Sequence, residues 1–308
     1  MALHLVTGGA GFIGSHLVEA LVERGDQVRV LDNLSTGYRA NLANVADHIE
    51  FIEGDLRDSD SLAATVAGVD TIFHLGAMVS VPESMAKPVE AELINAVGTL
   101  NLLQAARAAG ARRLVLSSTC AVYGDEPTLP KRESMQPWPK SPYAISKLAA
   151  EQYCRLFNDS LGFETVGLRY FNVFGPRQDP SSAYSGVISI FTNRLAQNVA
   201  PFIFGDGDQT RDFVFVKDVV QANLRAASVP AAAGQVFNVG TGRQVSINHL
   251  FQTLARIYGL DLAPHYQPER AGDIRYSYGE TSLAREVLDW LPQVELEDGL
   301  RQTVASLR

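Results

Sequence analysis

A strand-to-helix junction near the N-terminus, LVTGGAGFIGSHLVEAL, constrains the fold of this chain more than any other segment. Gly8, Gly11 and Gly14 recur at every third position between an apolar strand pattern and a helical one. Glycine permits a tight turn and a close approach of the backbone to a ligand, and the N–H groups at the following helix N-terminus attract an anion. The spacing differs from the more familiar Gly-x-Gly-x-x-Gly, but the strand before it and the helix after it match that motif's context. The junction therefore predicts a βαβ unit that binds the pyrophosphate of a dinucleotide.

Two carboxylates follow the next strands of the same unit. Asp32, in RVLDN, is placed to accept hydrogen bonds from the adenosine ribose hydroxyls, and it would repel a 2′-phosphate. The chain should therefore prefer NAD to NADP. For Asp55, in EGDLRD, two interpretations stay open: a contact with the adenine amino group, or an N-cap of the next helix.

Short apolar segments alternate with amphipathic ones through the first half of the chain. Apolar strands separated by helices predict an α/β fold, a Rossmann-type doubly wound parallel sheet covered on both faces. The strand candidates are Leu3–Val6, Val28–Leu31, Ile49–Ile52, Thr71–Leu75, Leu114–Ser117 and Thr165–Leu168, and the helix candidates include Phe12–Glu23, Glu92–Ala108 and Tyr143–Leu161.

The second half of the chain has shorter segments that mix helix and strand patterns. Prolines and glycines interrupt it in FGPRQDPSSAYSG and FGDGDQTRD. We predict a dinucleotide-binding domain over residues 1–170 and a smaller mixed α/β substrate lobe mainly over residues 171–308, with some segments returning to the first domain.

The overall charge and the cysteine content exclude several classes of function. The formal net charge is −8, which disfavours binding to a nucleic-acid backbone or to an anionic membrane. Cys120 and Cys154 are too few for a disulfide scaffold and lack zinc-site spacing, so we predict no metal site. The chain shows neither a signal-peptide pattern nor a long apolar run, and we expect a cytoplasmic protein.

The segment SPYAISKLAAE places Tyr143 and Lys147 on one face of a helix. A neighbouring ammonium favours the phenolate, and a pyridinium cation on an oxidised cofactor would add to that effect, so the phenol can act as a general base near neutral pH. Such a pair is otherwise an ordinary half-exposed helix face. The sequence VLSSTCAVYG, which supplies Ser117, Ser118 and Thr119 at the end of the fifth strand, favours the catalytic interpretation. Together these groups could remove a proton from an alcohol during hydride transfer.

With these segments the sequence resembles the extended short-chain dehydrogenase/reductase family, and within it the NAD-dependent nucleotide-sugar 4-epimerases. The resemblance covers nearly the whole chain. The matching segments, in the family's order, are TGGAGFIGSHL, LDNLSTG, GDLRD, SSTCAVYG, SPYAISKLAAE, LRYFNVFGPRQ, RDFVFVKDV, FNVGTG and RAGD.

The resemblance implies a set of catalytic and cofactor-binding residues. Thr119 matches the catalytic hydroxyl, Tyr143 the base and Lys147 its partner. Val79 stands where some galactose epimerases carry a cofactor-contacting lysine, which puts that one contact in doubt. The implied NAD-binding residues are Gly8, Gly11, Phe12, Ile13, Gly14, Asp32, Asn33, Asp55, Leu56, Leu75, Asn95, Tyr143, Lys147 and Tyr170.

The resemblance also implies that the second lobe binds a UDP-sugar. Arg211 and Arg270 match phosphate-binding arginines, and Asp273 would hold a uridine ribose hydroxyl; the alternative for both arginines is simple exposure. Phe204 could stack on the base or lie in the core. The implied substrate-binding residues are Ser118, Thr119, Tyr143, Asn172, Val187, Phe204, Arg211, Arg270, Asp273 and Ser277.

The reaction implied is a 4-epimerisation. Dehydratases and decarboxylases of the family carry an acidic residue after the catalytic hydroxyl, whereas Cys120 and Ala121 stand there. Ser277 matches a gate position, and its small side chain favours UDP-GlcNAc and UDP-GalNAc, alongside or instead of UDP-Glc and UDP-Gal. A UDP-glucuronate 4-epimerase, another dehydratase or decarboxylase of the family, and an NAD-binding redox sensor are the alternatives.

The resemblance further implies a homodimer. Its seam would be a four-helix arrangement of Glu92–Ala108 and the helix from Tyr143, and the alternative is burial of both helices under their own sheet. His74, after the fourth strand, is expected to be structural.

Overall fold

The computed structural model describes residues 2–179, 186–269 and 274–307. Two of the predicted substrate-binding residues, Arg270 and Asp273, lie outside these ranges.

The chain folds into strands and helices that alternate through its first half. The strands are β1 (Leu3–Thr7), β2 (Gln27–Asp32), β3 (Ile49–Glu53), β4 (Thr71–His74), β5 (Arg113–Thr119), β6 (Glu164–Tyr170), β7 (Asn172–Phe174), β8 (Phe202–Phe204), β9 (Thr210–Arg211), β10 (Phe213–Phe215), β11 (Val236–Val239), β12 (Val245–Ser246) and β13 (His265–Gln267). The helices are α1 (Phe12–Glu23), α2 (Ser59–Thr65), α3 (Val81–Ala86), α4 (Pro88–Glu92), α5 (Gly98–Ala108), α6 (Pro142–Leu161), α7 (Val187–Ala196), α8 (Val216–Ser228), α9 (Ile247–Tyr258), α10 (Ser282–Leu288) and α11 (Leu296–Ala305).

Seven strands form the central sheet, in the order β11-β6-β5-β4-β1-β2-β3. Every neighbouring pair in it is parallel. The chain winds outward in one direction from β1 to β3 and in the other from β4 to β6, so the order reverses between β1 and β4. Ligands of open α/β sheets bind at such a reversal, beyond the carboxyl ends of the strands. The Rossmann-type doubly wound fold predicted from the sequence is confirmed.

Apolar side chains cover both faces of the sheet. On one face α1 and α8 pack Leu17, Val18 and Val219 against the strands. On the other face α2, α5 and α6 contribute apolar side chains, among them Leu62 from α2 and Leu102 from α5. Strands buried on both faces explain why their sequences are continuously apolar rather than alternating.

The second lobe has its own core of phenylalanines and aliphatic side chains, carried by α7, α9, α11 and the short strands. Phe12 and Ile13, at the start of α1, pack against this core. The lobe therefore rests on the helix N-terminus that follows the glycine loop. Strand β11 pairs with β6 and so joins the central sheet.

The helix predicted over Glu92–Ala108 is interrupted. A π-helical turn, Leu93–Val97, separates α4 from α5. Within it, the side chain of Asn95 bonds to the backbone N–H and carbonyl of Met78, and the hydroxyl of Thr99 donates to the Asn95 carbonyl at 2.5 Å. The bonds between Asn95 and Met78 join residues 17 positions apart and accompany the wider turn, a feature that is frequent at functional sites.

None of the helices in the described ranges combines the length and the apolar character that a transmembrane span requires. The same ranges contain no cluster of three or more His, Cys, Asp or Glu side chains arranged to hold a metal ion.

Candidate active site

The glycine loop between β1 and α1 leaves no room for side chains at Gly8 and Gly14, where the obstructing atoms belong to the backbone. Gly8 has φ of +68°, and a Cβ there would lie 2.7 Å from the backbone nitrogen of Gly76. A Cβ on Gly14 would lie 2.1 Å from the Gly8 carbonyl oxygen. Gly11 differs, because a Cβ there would meet only the Gly8 oxygen, at 3.2 Å. The protein itself thus requires glycine at positions 8 and 14, whereas Gly11 presents open backbone.

Helix α1 begins at Phe12 with Gly11 as its N-cap and no side-chain cap among the described residues. Its first turn also contains no acidic side chain. The first N–H groups of a helix lack intrahelical acceptors, and the helix dipole favours an anion there. The loop and the helix start together fit the pyrophosphate of a dinucleotide.

Asp32 lies buried at the carboxyl end of β2. Its two oxygens accept backbone N–H groups from Ala10 at 2.9 Å and Leu34 at 2.8 Å. Burial raises the pKa of this carboxyl group, and both hydrogen bonds oppose the rise. Each oxygen keeps a lone pair. A fixed carboxylate with free acceptor sites fits the two hydroxyls of a ribose.

The carboxylate of Asp55 accepts hydrogen bonds from neighbouring side chains and does not cap a helix. Its carboxylate accepts from Asn33 at 2.8 Å and from two guanidinium nitrogens of Arg57, each at 2.8 Å. The Arg57 hydrogen bonds hold the pKa of this carboxyl group well below its usual range. The cap of α2 is Asp58. The N-cap interpretation of Asp55 is therefore wrong, since the helix begins four residues later, at Ser59.

The loop after β4 closes on the glycine loop. Gly76 donates its N–H to Thr7 Oγ1 at 3.1 Å, and a Cβ on Gly76 would lie 3.2 Å from Leu56 Cδ1. Leu56 and Leu75 thus lie together beside Gly8, at the reversal of strand order. Val79, farther along this loop, is 60% exposed.

Helix α6 delivers Tyr143 and Lys147 to the end of β5. Ser141 caps the helix through Ala144 N–H at 3.2 Å, and Pro142 occupies its first turn. Lys147 is buried and donates from Nζ to the Ser117 carbonyl at 2.8 Å. Thr119, the last residue of β5, lies beside the Tyr143 phenol, and its hydroxyl lowers the pKa of that phenol. The structure therefore brings the three predicted catalytic residues together at the carboxyl edge of the sheet.

Burial has the largest influence on the pKa values of Tyr143 and Lys147. It raises the pKa of Tyr143 to about 12, against the effect of the Thr119 hydrogen bond. It lowers the pKa of Lys147 to about 8, while the charge of Glu151 opposes that change. In the protein alone the phenol is protonated at neutral pH. Its action as a base requires a further positive charge beside it, such as that of an oxidised nicotinamide.

Ser118 has a different orientation from Thr119. Successive residues of a strand point to opposite faces, and the Ser118 hydroxyl donates to the buried carboxylate of Glu151. Glu151 in turn pairs with Arg169 on β6. Ser118 therefore faces a buried ion pair under α6, and its hydroxyl is already used there.

Two further residues of the predicted cofactor set are tied into the core. Asn95 donates to Ser146 Oγ at 3.0 Å, and Ser146 donates to the Tyr143 carbonyl at 2.9 Å, which links the π-helical turn to the catalytic helix. Tyr170 pairs with Thr119 across the sheet, but its hydroxyl donates to Asn223 Oδ1 on α8 at 3.0 Å.

In the second lobe, backbone contacts gather three of the predicted substrate-binding residues. Asn172 donates its N–H to the Asp212 carbonyl at 2.9 Å, and Ser277 donates its N–H to the Thr210 carbonyl at 3.2 Å. Arg211, between those two acceptors, bonds the Ile274 carbonyl at 2.7 Å. The remaining two lie elsewhere in the lobe, Val187 at the start of α7 and Phe204 at the half-buried end of β8.

Asp212 is a residue that the sequence analysis missed. Its side chain is fully buried and accepts backbone N–H groups from Thr241 at 2.7 Å, Gly242 at 2.9 Å and Gly279 at 3.3 Å. It therefore ties the strand that carries Arg211 to the segment that carries Ser277. The segment RDFVFVKDV contained Asp212, but nothing in that pattern indicated its burial.

His74 lies in the core, as expected for a structural residue. Its ring nitrogens bond to Thr7 Oγ1 at 2.7 Å and Thr99 Oγ1 at 2.9 Å. Burial lowers the pKa of His74 to about 3, so the ring is neutral.

Comparison with known proteins identifies the family of this chain. The model of the NAD dependent epimerase/dehydratase family matches residues 4–240. A UDP-glucose 4-epimerase from Mycolicibacterium smegmatis is 44% identical, over 99% of this chain and 98% of the relative.

Two solved structures have nearly the same fold. The UDP-glucose 4-epimerase of Thermotoga maritima, with UDP-glucose, has a TM-score of 0.95 at 41% identity and covers 99% of this chain and 98% of its own. A UDP-N-acetylglucosamine 4-epimerase from Methanobrevibacter ruminantium, in complex with UDP-N-acetylmuramic acid, has a TM-score of 0.96 at 39% identity, with the same coverage of 99% and 98%. The resemblance noted from the sequence is confirmed: this chain belongs to the NAD dependent epimerase/dehydratase family, whose cofactor is NAD.

Proposed function

We propose that this chain is an NAD-dependent UDP-sugar 4-epimerase that acts through a transient 4-keto sugar. The observation that carries the proposal is the meeting of Thr119, Tyr143 and Lys147 at the carboxyl edge of the sheet. This edge also carries the glycine loop and Asp32, which fit a dinucleotide. A protein that only senses NAD has no use for a half-buried phenol with a hydroxyl beside it and an ammonium on the same helix face.

The chain's own residues handle a proton at the sugar O4. Tyr143 takes this proton as general base, and Thr119 hydrogen-bonds to the same oxygen. Lys147, fixed by the Ser117 carbonyl, contributes positive charge that favours the phenolate. NAD, when bound, would supply the acceptor and later the donor of the hydride at C4 and so would undergo no net change.

The second lobe holds the nucleotide while the sugar turns. Arg211 and Arg270 would bind the diphosphate, Asn172 would donate to it, and Asp273 would accept from the uridine ribose. Binding energy from this remote part of the substrate keeps the sugar in the site without favouring either epimer. Accordingly, residues 1–170 hold mainly the cofactor and residues 171–308 mainly the UDP-sugar, while α8 and β11 complete the first unit.

Cys120 favours epimerisation over elimination or decarboxylation. It follows Thr119 directly, and burial raises the pKa of its thiol to about 12. A neutral thiol at neutral pH cannot replace the carboxyl group that elimination chemistry uses at this position. Among the described residues, the nearby carboxylate of Asp212 is occupied by backbone N–H groups.

The substrate range follows from Ser277. Its small, half-buried side chain leaves room for an N-acetyl group at the sugar 2-position. We therefore propose activity on UDP-GlcNAc and UDP-GalNAc, with UDP-Glc and UDP-Gal as further substrates. UDP-glucuronate 4-epimerisation is the competing activity.

Purified protein incubated separately with UDP-GlcNAc, UDP-Glc and UDP-glucuronate, with products identified by NMR, tests the proposal. A 4-epimer without net formation of reduced cofactor is the expected product. The relative rates of the three substrates define the substrate range. A 4-keto-6-deoxy sugar or released carbon dioxide would overturn the epimerase assignment. If none of the three substrates gave a product, the alternative of an NAD-binding redox sensor would be favoured.

We further propose that the protein is a homodimer. Val89, Leu93 and Val97 recur at every fourth position through α4 and the π-helical turn and are 71%, 43% and 39% exposed. On the adjacent α6, Ile145 and Leu156 are each 50% exposed. A second copy of the chain that covers these apolar faces would form a four-helix seam.

Light scattering after size-exclusion chromatography tests this proposal. The protein should elute as a dimer, and Leu93→Glu should elute as a monomer. Val199→Glu, at a position that is 40% exposed in the second lobe, is the matched control and should remain dimeric. A monomeric wild-type protein would refute the seam.

A further inference from the structure

Glu151 is a buried carboxylate that the reaction scheme does not use. Its side chain is 4% exposed, on the face of α6 that packs against β5 and β6. Arg169 donates to it from Nε at 3.0 Å and from Nη2 at 2.8 Å, and Ser118 donates its hydroxyl to it. A buried ion pair contributes little net stability compared with apolar packing, so its presence here calls for another explanation.

Glu151 stands one helical turn beyond Lys147, on the same face of α6. Lys147 donates to the carbonyl of Ser117, and Glu151 accepts from the hydroxyl of Ser118. Two successive turns of the helix therefore hold two successive residues of β5. The next residue of that strand is Thr119, whose hydroxyl lies beside the catalytic phenol and lowers its pKa.

The electrostatic influence of Glu151 also reaches Lys147. Burial lowers the pKa of Lys147, and the negative charge of Glu151 is the largest opposing cause, followed by Cys154 on the same helix. From β4, His74 faces Lys147 as a neutral ring. From β6, Arg169 faces Glu151.

The groups beyond Arg169 complete the surroundings of the pair. The Arg169 guanidinium lies 4.8 Å from the centre of the Tyr123 ring, in the turn after β5. Glu133, in the following loop, is half-buried and interacts with the same guanidinium. Arg169 Nη1 is buried without a hydrogen-bond partner among the described residues, so the hydrogen bonds of this guanidinium run from Nε and Nη2 to Glu151. The charge of Glu151 also acts on the catalytic lysine.

We propose that Glu151 is a positioning residue of this active site: through Ser118 it fixes the end of β5, and its charge supports the ammonium of Lys147. The inference rests on the proposed function for its catalytic meaning. The effect on the lysine, however, can be measured without turnover.

The test uses NMR titration of the protein with ¹³C at the lysine ε carbons, with the Lys147 signal assigned by its absence in Lys147→Met. Glu151→Gln removes the charge and should lower the Lys147 pKa by about one unit relative to wild type. Because that substitution leaves Arg169 buried without its counter-ion, the double variant Glu151→Gln/Arg169→Gln provides a neutral, hydrogen-bonding pair that is expected to fold. A smaller lowering of the Lys147 pKa should appear in it, because the loss of the Arg169 cation partly offsets the loss of the carboxylate.

Ser118→Ala is the matched control, because it removes the hydrogen bond to Glu151 and keeps the charge. It should leave the Lys147 pKa unchanged and lower kcat more than it raises KM. In the double variant, the alkaline limb of the pH profile for kcat/KM should move to lower pH, since Lys147 then loses its proton earlier. A purely structural pair would not move that limb.

An unchanged Lys147 pKa in the folded double variant would overturn the inference. If wild-type protein turned over none of the UDP-sugars, the proposed function would fail, yet the NMR titration would still decide the role of Glu151. The two failures are therefore distinguishable.

Discussion

Replacement of Gly14 by alanine tests the geometry of the cofactor loop. The new Cβ would lie 2.1 Å from the Gly8 carbonyl oxygen, whereas ordinary contact begins near 3.4 Å. The other near atoms, Gly9 Cα at 2.8 Å and Gly8 C at 2.9 Å, also belong to the backbone. No side chain can rotate to relieve the overlap, so the loop must move by roughly 1 Å.

Overpacking of this kind costs about 1–3 kcal/mol, and the better helix propensity of alanine returns about 1 kcal/mol. We therefore expect the free energy of unfolding to fall by at most about 2 kcal/mol. The displaced loop should also weaken NAD binding by about 10- to 100-fold, since the loss of one backbone hydrogen bond to a charged pyrophosphate costs about 1.5–3 kcal/mol. Isothermal titration calorimetry measures the affinity, and urea unfolding measures the stability.

Gly11→Ala is the matched control within the same loop. Its Cβ would meet only the Gly8 oxygen, at 3.2 Å, so the fold should keep its stability. The methyl group would still occupy the backbone surface that the pyrophosphate approaches, and NAD affinity should fall. Wild-type NAD affinity in both variants would refute the assignment of this loop to the cofactor.

Three further predictions follow from the site. Tyr143→Phe should bind NAD normally by calorimetry but lose turnover by about 10³-fold or more, because the general base is gone; unchanged turnover would remove the phenol from the mechanism. His74 is neutral in the fold, with its pKa lowered to about 3, so its contribution to stability is full above the ordinary value of 6.5 and is lost as the pH falls from there toward 3. At pH 5 this loss amounts to about 2 kcal/mol in urea unfolding relative to pH 8, and His74→Gln should lack it; an identical pH dependence in that variant would contradict the buried neutral ring. Asp212→Asn should lower the free energy of unfolding by about 2 kcal/mol and weaken UDP binding more than NAD binding, and equal affinities for UDP before and after the substitution would show that Asp212 does not organise the nucleotide site.

The features that the sequence predicted correctly are local. The six strand candidates, the helix Phe12–Glu23 and the parallel sheet depend on apolar periodicity and on glycines at a turn, which are legible in a short window. The position of Thr119 at the carboxyl edge of the sheet follows from its place at the end of β5, and the i, i+4 spacing puts Tyr143 and Lys147 on one face of α6.

Features that depend on contacts between distant segments could not be predicted from the sequence. The π-helical turn accompanies bonds from Asn95 to Met78, and the acceptor of the Ser118 hydroxyl, Glu151, lies on another element. The high pKa of Tyr143 comes from burial under the completed fold. Strands β9 and β12 have two residues each, too few to show any periodicity.

The fate of the hydrogen at C4 tests the central claim most directly. A UDP-sugar deuterated at C4 is incubated with the protein in ordinary water, and the 4-epimer is analysed by NMR and mass spectrometry. Removal and return of the hydride within one site predicts that the epimer keeps its deuterium at C4. An epimer that carries a solvent proton at C4 would contradict the account.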